Sequence, residues 1–363
     1  MKLKILDKYV LKELLYPFAF GIASFSSIFI ASTMLFKITQ YITKYGASID
    51  SVARMFMYNL PEVINYTFPM SMLLAALMAF GKLSGSSEIV AMKSGGISYY
   101  RIVAPVIIVG FIVSMFSMVW AEKVVPRCKA RASYILNVEI KHNTKPIQQE
   151  HIIIKTFSGG NQSITYARRF DEKKGVMTGV TTEEFEKGHV NRIQTAKNAY
   201  WEHGSWRLVD GSIFSLNEKD GVTSTARFKE EKLPLQMSPR QISWEQKDPE
   251  EMTIGELKES IRVLEKQKQS AARQWCEMYM RINIPLASLF FAMIGAALGT
   301  QKQRTSSSIG LGISIIVIFI YYAVMTLTTG LGKGRVIPPF IACAIPNILC
   351  AIIGMYLLRK KNS

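Results

Sequence analysis

Six long apolar runs are the feature that most constrains how this chain can fold. An α-helix needs about 20 apolar residues to cross the hydrocarbon core of a bilayer, and each run reaches that length. Within these runs the sequence places one charged residue, Glu62. We therefore expect six transmembrane helices. The runs are Leu14 to Phe36, Met55 to Gly81, Ile102 to Ala121, Ile282 to Gln301, Thr305 to Gly332 and Val336 to Leu358.

Basic residues in the short connecting segments predict which side of the membrane each segment faces. Cytoplasmic segments carry an excess of Lys and Arg. If the N-terminus is cytoplasmic, the inner segments hold 12 of these residues and the short outer loops hold 5. The counts predict that both termini are cytoplasmic, and that the long segment between the third and fourth runs, roughly Pro126 to Arg273, faces outward.

The overall composition agrees with a chain that lies partly in a membrane. The mean hydropathy of +0.16 is too high for an ordinary soluble protein and too low for one that is all membrane. The net charge of +17 could indicate nucleic acid, but in a membrane protein basic residues first serve topology and contacts with anionic lipid. We therefore expect a mixed architecture and no nucleic-acid partner.

The long outward segment has the sequence pattern of a β domain. The stretches "HIIIKTF" and "SITYARRF" are rich in β-branched and aromatic residues that partly alternate with polar ones. A turn is expected at His203-Gly204-Ser205, flanked by Trp201 and Trp206. Several short strands at this spacing predict a sandwich or a roll. Thr253 and Glu256 then form a capping box that begins a helix leading to the fourth run.

The loop after the second run carries a short helix of its own, in "GKLSGSSEIVAMKSGGIS". Serines and an acid begin it, a few apolar residues follow, and Lys93 and a Gly95-Gly96 pair end it. A helix of about two turns is unstable alone in water. It therefore either lies on the lipid headgroups as a connector or docks on a partner, with Ile89 and Met92 filling a groove and Glu88 and Lys93 at its rim.

Two features inside the runs predict helix packing. Glu62 is expected to pair with a basic residue such as Lys37, because an unpaired acid is costly in a membrane. Gly295 and Gly299 form a GxxxG pair in the fourth run, which lets helix backbones approach closely within one chain or between two chains.

Catalytic motifs do not stand out in this sequence. It has no Walker A motif, the four histidines lack ligand spacing, and no His, Asp or Cys cluster marks a metal site or a lipid-modifying enzyme. We therefore expect no enzyme activity, no metal and no cofactor on this chain. A transport subunit and a membrane-anchored receptor or scaffold remain as alternatives, although six spans and a capped inner helix exceed what anchoring requires.

The order of these segments resembles the LptF/LptG (YjgP/YjgQ) family of lipopolysaccharide-transport permeases. The likeness covers the whole chain and is most specific in "NLPEVINYTFPMSMLLAALMAFGKL", "SSEIVAMKSGGIS" and "MRINIPLASLFFAMIGAALG". It implies an α-helical membrane protein with six transmembrane helices and an inserted all-β, jellyroll-like periplasmic domain between helices 3 and 4. The expected segments are 1–125 with a coupling helix near 84–95, 126–252 for the β domain, 253–272 for the connecting helix and 273–363.

The resemblance also implies partners and a location. The family extracts lipopolysaccharide from the inner membrane and passes it to a periplasmic bridge, powered by a separate ATPase. The expected partners are an LptB-like ATPase dimer that binds ATP, a second permease chain that is LptF-like, LptG-like or a copy of this one, and LptC/LptA-like periplasmic jellyroll proteins.

Candidate site residues follow from the resemblance together with the charge pattern. The predicted ATPase-coupling residues are Ser87, Glu88, Ile89, Met92 and Lys93. Cations near the outer ends of the spans either snorkel to the interface or face an anionic lipid headgroup. The predicted lipopolysaccharide-contacting residues are Lys37, Arg281, Lys44 and Arg54 in the spans and loops, and Ile154 and Ile164 in the β domain, where inward apolar side chains would hold acyl chains.

Overall fold

The computed structural model describes residues 5–141, 148–158, 161–186, 189–217, 221–233, 235, 237–246, 248–266, 269–300 and 307–362. The chain divides into two compact units. The helical unit comprises Met1–Leu136 and Ala272–Ser363, and the β unit comprises Asn137–Ala271.

The helical unit confirms the prediction of six spans. Six described helical stretches are long and apolar enough to cross a membrane. Most extend beyond the apolar runs, because helical hydrogen bonding continues into polar residues at their ends. The predicted end at Gln301 and the predicted start at Thr305 lie outside the described residues. The helices of the unit are α1 (Ile5–Thr33), α2 (Leu35–Tyr45), α3 (Ile49–Gly85), α4 (Glu88–Ser94), α5 (Tyr99–Lys123), α6 (Val125–Tyr134), α9 (Ala272–Gly299), α10 (Ser307–Lys333) and α11 (Pro339–Asn362). A π-helical turn (Ile135–Ile140) follows α6 and includes the boundary between the units.

Close contact between α3 and α9 forms the centre of the helical unit. A Cβ atom added at Gly295 would lie 2.6 Å from the Ala76 Cβ, and one at Gly299 would lie 2.7 Å from the Leu77 carbonyl oxygen. The GxxxG pair therefore works within one chain, where it lets α9 approach the backbone of α3. Gly110 brings α5 equally close to α9, with its added Cβ 2.7 Å from the Ala292 Cβ.

The β unit contains one six-stranded antiparallel sheet, which confirms an all-β insertion between the third and fourth spans. Its strands follow chain order in a meander, so that each pairs with the next. The resemblance implied a jellyroll, and the described strands form this single sheet. They are β1 (Gln148–Ser158), β2 (Asn161–Asp171), β3 (Val176–Glu186), β4 (His189–Glu202), β5 (Ser205–Asn217) and β6 (Gly221–Leu233), followed by α7 (Pro239–Gln246), a 3-10 turn (Pro249–Glu251) and α8 (Ile254–Lys266).

The core of the β unit lies against one face of this sheet. Trp206 is fully buried there, and its indole N–H donates to the Met237 carbonyl oxygen at 2.7 Å. The predicted turn joins β4 to β5: His203 and Gly204 have φ angles of 50° and 79°, and the flanking Trp201 and Trp206 are cross-strand partners. This geometry matches a hairpin turn with two left-handed residues.

The capping box of α8 is also confirmed. The Thr253 backbone N–H donates to a Glu256 carboxylate oxygen at 2.8 Å, and the Glu256 N–H donates to the Thr253 hydroxyl at 3.3 Å. Leu257, Ile261 and Leu264 of this helix are buried.

The division between the units falls later than residue 126, where the β domain was expected to begin. Pro126 occupies the first turn of α6, where a missing N–H costs no hydrogen bond, so the chain stays helical. The first strand begins at Gln148.

Candidate functional site

The short helix α4, between the second and third spans, begins and ends as a separate element. It starts after Ser87, whose φ of 61° breaks the path of α3, and its end is fixed by the Gly95 N–H, which donates to the Ala91 carbonyl oxygen at 3.0 Å. The glycine stop was predicted correctly. The serine cap was not, because the left-handed Ser87 backbone leaves its side chain without a capping bond; Ser86 Oγ instead donates to Glu88 Oε1 at 2.7 Å.

Contacts with other helices hold α4 in place. The Tyr9 hydroxyl of α1 donates to Glu88 Oε2 at 2.7 Å, and Lys93 Nζ donates to the Lys361 carbonyl oxygen of α11 at 3.1 Å. Ile89 is 3% exposed in the core formed by α1, α3, α5 and α9. A movement of α4 would therefore displace residues of several spans.

The exposed face of α4 differs from the face that the sequence suggested. Ile89 is buried and Met92 packs partly against the same core, so both point into the chain itself. Val90, which is 63% exposed, Ala91 and Lys93 form the outward surface. An i, i+3 spacing identifies one apolar side of a helix, but in so short a helix it does not tell whether that side faces the chain or a partner.

Ion pairs beside α4 reinforce this end of the helical unit. Arg101 makes two hydrogen bonds to the Asp7 carboxylate, at 2.6 and 3.0 Å, and joins α5 to α1. Lys82 donates to Glu13 at 2.7 Å and joins α3 to α1. Sequence reasoning missed both pairs, because their members are far apart along the chain. We call the region formed by α4, Tyr9 and the residues of these two pairs the α4 platform.

The opposite end of the helical unit contains a buried arginine. Arg281 is 8% exposed, and its guanidinium lies 3.4 Å from Glu277 and 3.7 Å from Glu122. The prediction that Glu62 pairs with a basic residue is confirmed, but the partner is Lys129 of α6 at 2.6 Å rather than Lys37, because α6 continues the helical unit and packs along α3.

The other predicted span cations are exposed. Lys37 lies on the surface of α2, Lys44 lies 5.6 Å from the centre of the Tyr45 ring, and Arg54 pairs with Asp50 at 2.9 Å. These positions leave Lys37 and Lys44 accessible to a ligand.

Ile154 and Ile164 lie on opposite faces of the β sheet. Ile154 pairs with Thr165, whereas Ile164 pairs with Lys155, so the register places the two isoleucines on different sides. Ile154 is fully buried in the core, and Ile164 is half-buried. The expectation that both side chains point inward is therefore corrected for Ile164.

The fold defines a class: a multi-pass membrane protein with a folded β domain inserted between two sets of three spans. The model of the lipopolysaccharide export system permease family LptF/LptG matches residues 8–360. This chain therefore belongs to the LptF/LptG family and is a multi-pass protein of the inner membrane.

Two relatives agree with this membership. The lipopolysaccharide export system permease protein LptG of Escherichia coli strain K12 is 22% identical over 372 residues, covering 99% of this chain and 99% of the relative. The protein of the same name from Escherichia coli O6:H1 strain CFT073 matches with the same identity and coverage.

Proposed function

We propose that this chain is a permease subunit of an ABC-type exporter that extracts lipopolysaccharide from the inner membrane and passes it to a periplasmic bridge. A separate LptB-like ATPase dimer binds and hydrolyses the ATP in this proposal. Family membership supports the transport role, and the relatives named for lipopolysaccharide export supply the substrate class.

The anchoring of α4 is the observation that carries the proposal. Val90 and Lys93 offer a small mixed surface to a partner, while Ile89 on the other side is locked in the core. Glu88 is bonded to α1, and Lys93 is bonded to α11. A partner that moves this helix therefore moves spans at both ends of the sequence, which is what coupling to an ATPase requires.

The charge distribution supports an orientation for the proposed exporter. An excess of Lys and Arg in the segments on the α4 side favours a cytoplasmic α4 and cytoplasmic termini. The β unit is then periplasmic, where LptC/LptA-like jellyroll proteins could receive the lipid. The exposed cations Lys37, Lys44 and Arg54 would meet the anionic headgroup, as would Arg281 if it exchanged its carboxylate partners.

A second permease chain completes the proposed cavity. Large apolar side chains remain exposed along α1 and α10 at helical spacing, and lipid or another chain must cover them. On α1 these include Leu15, Tyr16, Phe20 and Ile28, and on α10 they include Leu311, Ile315, Ile316, Phe319, Ile320 and Leu327.

The test uses two matched valines. Val90 is 63% exposed on α4, and Val336 is 71% exposed in the loop between α10 and α11. A Val90→Asp substitution should weaken co-purification with the ATPase by about tenfold or more, the effect of losing about 1.4 kcal/mol at an interface. Val336→Asp should leave the association unchanged. ATP-dependent lipopolysaccharide release from proteoliposomes should fall with Val90→Asp alone.

Two results would contradict the proposal. Equal ATPase binding and lipid release by both variants would exclude α4 as the docking element. A wild-type chain that neither associates with an ATPase nor releases lipid with ATP would favour a membrane-anchored receptor instead.

A further inference from the structure

A groove of about 1080 Å³, lined by polar and apolar side chains, crosses the β unit and has no role in the proposed coupling. Tyr166, Thr181, Thr195, Ser212 and Arg227 form a row across strands β2 to β6, each paired with the next. All five line the groove. Tyr166, Thr181 and Thr195 alternate with buried residues, so their side chains lie on the face away from the core, while Val180, Ala196 and Phe228 of the core region also line the groove.

The backbone shapes this groove at the neighbouring row. Gly179 of β3 and Asp210 of β5 have φ angles of 65° and 59°, a left-handed conformation that interrupts regular strand geometry. Regular pairing resumes on both sides of these positions with the same register. Two such residues in one row bend the sheet and open a depression between the strands.

Cations line the depression in excess over acids. Arg168, Lys197, Arg227 and Lys229 line the groove together with one carboxylate, Asp210. Asp210 is paired with Lys197 at 3.2 Å. Within the part of the chain that the structure describes, Arg168, Arg227 and Lys229 have no carboxylate partner, so three positive charges face the groove without a counter-ion from the protein.

Hydroxyl side chains also line the groove. Thr181, Thr195 and Ser212 are half-buried and adjacent across three strands. Their hydroxyls have no hydrogen-bond partner among the described residues. Each hydroxyl can both donate and accept a hydrogen bond, so it can pair with hydroxyl groups of a ligand. An acyl chain would leave these hydroxyls without hydrogen bonds.

We propose that this groove binds the anionic saccharide portion of the transported glycolipid, with Arg168, Arg227 and Lys229 on phosphate or carboxylate groups and the hydroxyl row on sugar hydroxyls. The choice of ligand rests on the proposed function, but the chemistry of the groove does not. The acyl chains and the sugars would then contact opposite faces of one sheet, the apolar part on the core face and the saccharide on the groove face.

The experiment measures binding of deacylated, phosphorylated lipopolysaccharide oligosaccharide to the full chain in nanodiscs by calorimetry. A triple variant, Arg168→Gln, Arg227→Gln and Lys229→Gln, should bind about tenfold or more weakly, because charge-assisted hydrogen bonds are lost. The matched control removes three exposed lysines of the same unit outside the groove, Lys173→Gln, Lys258→Gln and Lys266→Gln. It has the same net charge and should bind like wild type.

Further variants and ligands distinguish recognition of the saccharide from non-specific attraction between charges. A charge-keeping variant, Arg168→Lys with Arg227→Lys, should retain most of the binding, and dephosphorylated oligosaccharide should bind more weakly than the phosphorylated form. Competition by inorganic phosphate as effective as that by the oligosaccharide would overturn the saccharide assignment. Equal weakening in the groove and control variants would overturn the groove itself. If the triple variant has a lowered melting temperature, Arg227→Gln alone carries the test and should still weaken binding measurably.

This outcome is independent of the proposed export activity. ATP-driven lipopolysaccharide release by the wild-type chain with its ATPase tests that activity separately. Lipopolysaccharide release without oligosaccharide binding would contradict only the proposal for the groove. Oligosaccharide binding without lipopolysaccharide release would contradict only the proposed export function.

Discussion

Ion pairs decide which charged residues of the helical unit are open to a ligand. Arg281 is 8% exposed and lies within 4 Å of two carboxylates, whereas Lys37 lies exposed on α2. A buried charge without a partner is strongly destabilising, while an exposed lysine contributes little to folding. Arg281 and Lys37, which were both predicted to contact lipopolysaccharide, therefore contribute differently to the stability of the fold.

Substitution of each cation by alanine should separate these roles. Arg281→Ala removes a cation shared by Glu122 and Glu277 and should lower the free energy of unfolding by about 1–3 kcal/mol. Lys37→Ala should change it by less than about 0.5 kcal/mol, as surface substitutions do. Denaturant unfolding in detergent measures both, and lipopolysaccharide loading is measured alongside. Loading should fall in Lys37→Ala without loss of stability. An Arg281→Ala variant as stable as wild type would show that the carboxylates do not depend on it.

Local contacts of single residues were predictable, and distant ones were not. The Thr253–Glu256 capping box lies within four residues and has a recognisable pattern. Glu277 is one helical turn before Arg281 and could be foreseen, but Glu122 comes from another span. The Lys129–Glu62 pair required knowing that α6 continues the helical unit, which the sequence did not indicate.

At the scale of elements, the six spans were predictable because each is a long apolar run, and a long run in lipid must be helical to satisfy its backbone. Faces were harder to predict. In β2 the buried side chain is Thr165 rather than the more apolar Ile164, and the Thr165 hydroxyl lies 3.1 Å from that of Thr182 on the same face. A partly alternating strand shows that it has two faces without showing which one is covered.

Glycines of α9 offer a test of how closely the spans pack. Gly295→Ala would place a Cβ 2.6 Å from the Ala76 Cβ and 2.8 Å from the Leu73 carbonyl oxygen, so α9 must move away from α3. We expect a loss of about 1–3 kcal/mol in the free energy of unfolding, typical of overpacking. Gly312→Ala on α10 is the matched control, because its added Cβ has no heavy atom within 4 Å. Gly312→Ala should leave the free energy of unfolding unchanged or raise it slightly, because alanine has a higher helix propensity than glycine. Equal thermal stabilities of the two variants would contradict this view of the α3–α9 contact.

At the scale of the whole molecule, the helical unit and the β unit have different roles in the proposed lipid export. The helical unit connects the α4 platform to the spans, and the β unit presents two chemically different faces. One face holds Ile154 in an apolar core with Trp206 and Phe170, and the other carries Ile164 on the same side as the groove row. A lipid with acyl chains and charged sugars matches this separation.

The burial of Ile154 constrains the path of the acyl chains. That side chain is fully buried, so lipid can reach it only if the core of the β unit opens. If ATP hydrolysis drives lipid onto this face, a photo-crosslinking residue at position 154 should capture lipopolysaccharide only while ATP is hydrolysed. Position 164, on the opposite face of the same hairpin and on the same side as the groove row, is the comparison, and saccharide binding in the groove should make its signal rise together with that at position 154.

Three measurements decide this prediction: crosslinked lipid with ATP, without ATP, and with a hydrolysis-deficient ATPase. Equal capture at position 154 in all three would show passive binding, because the core would then be open without energy input. An ATP-dependent rise at position 164 alone would place the moving acyl chains on the groove face. The burial of Ile154 and the cationic, hydroxyl-lined groove argue against that second result, because acyl chains there would cover three charges and a row of hydroxyls without replacing their hydrogen bonds.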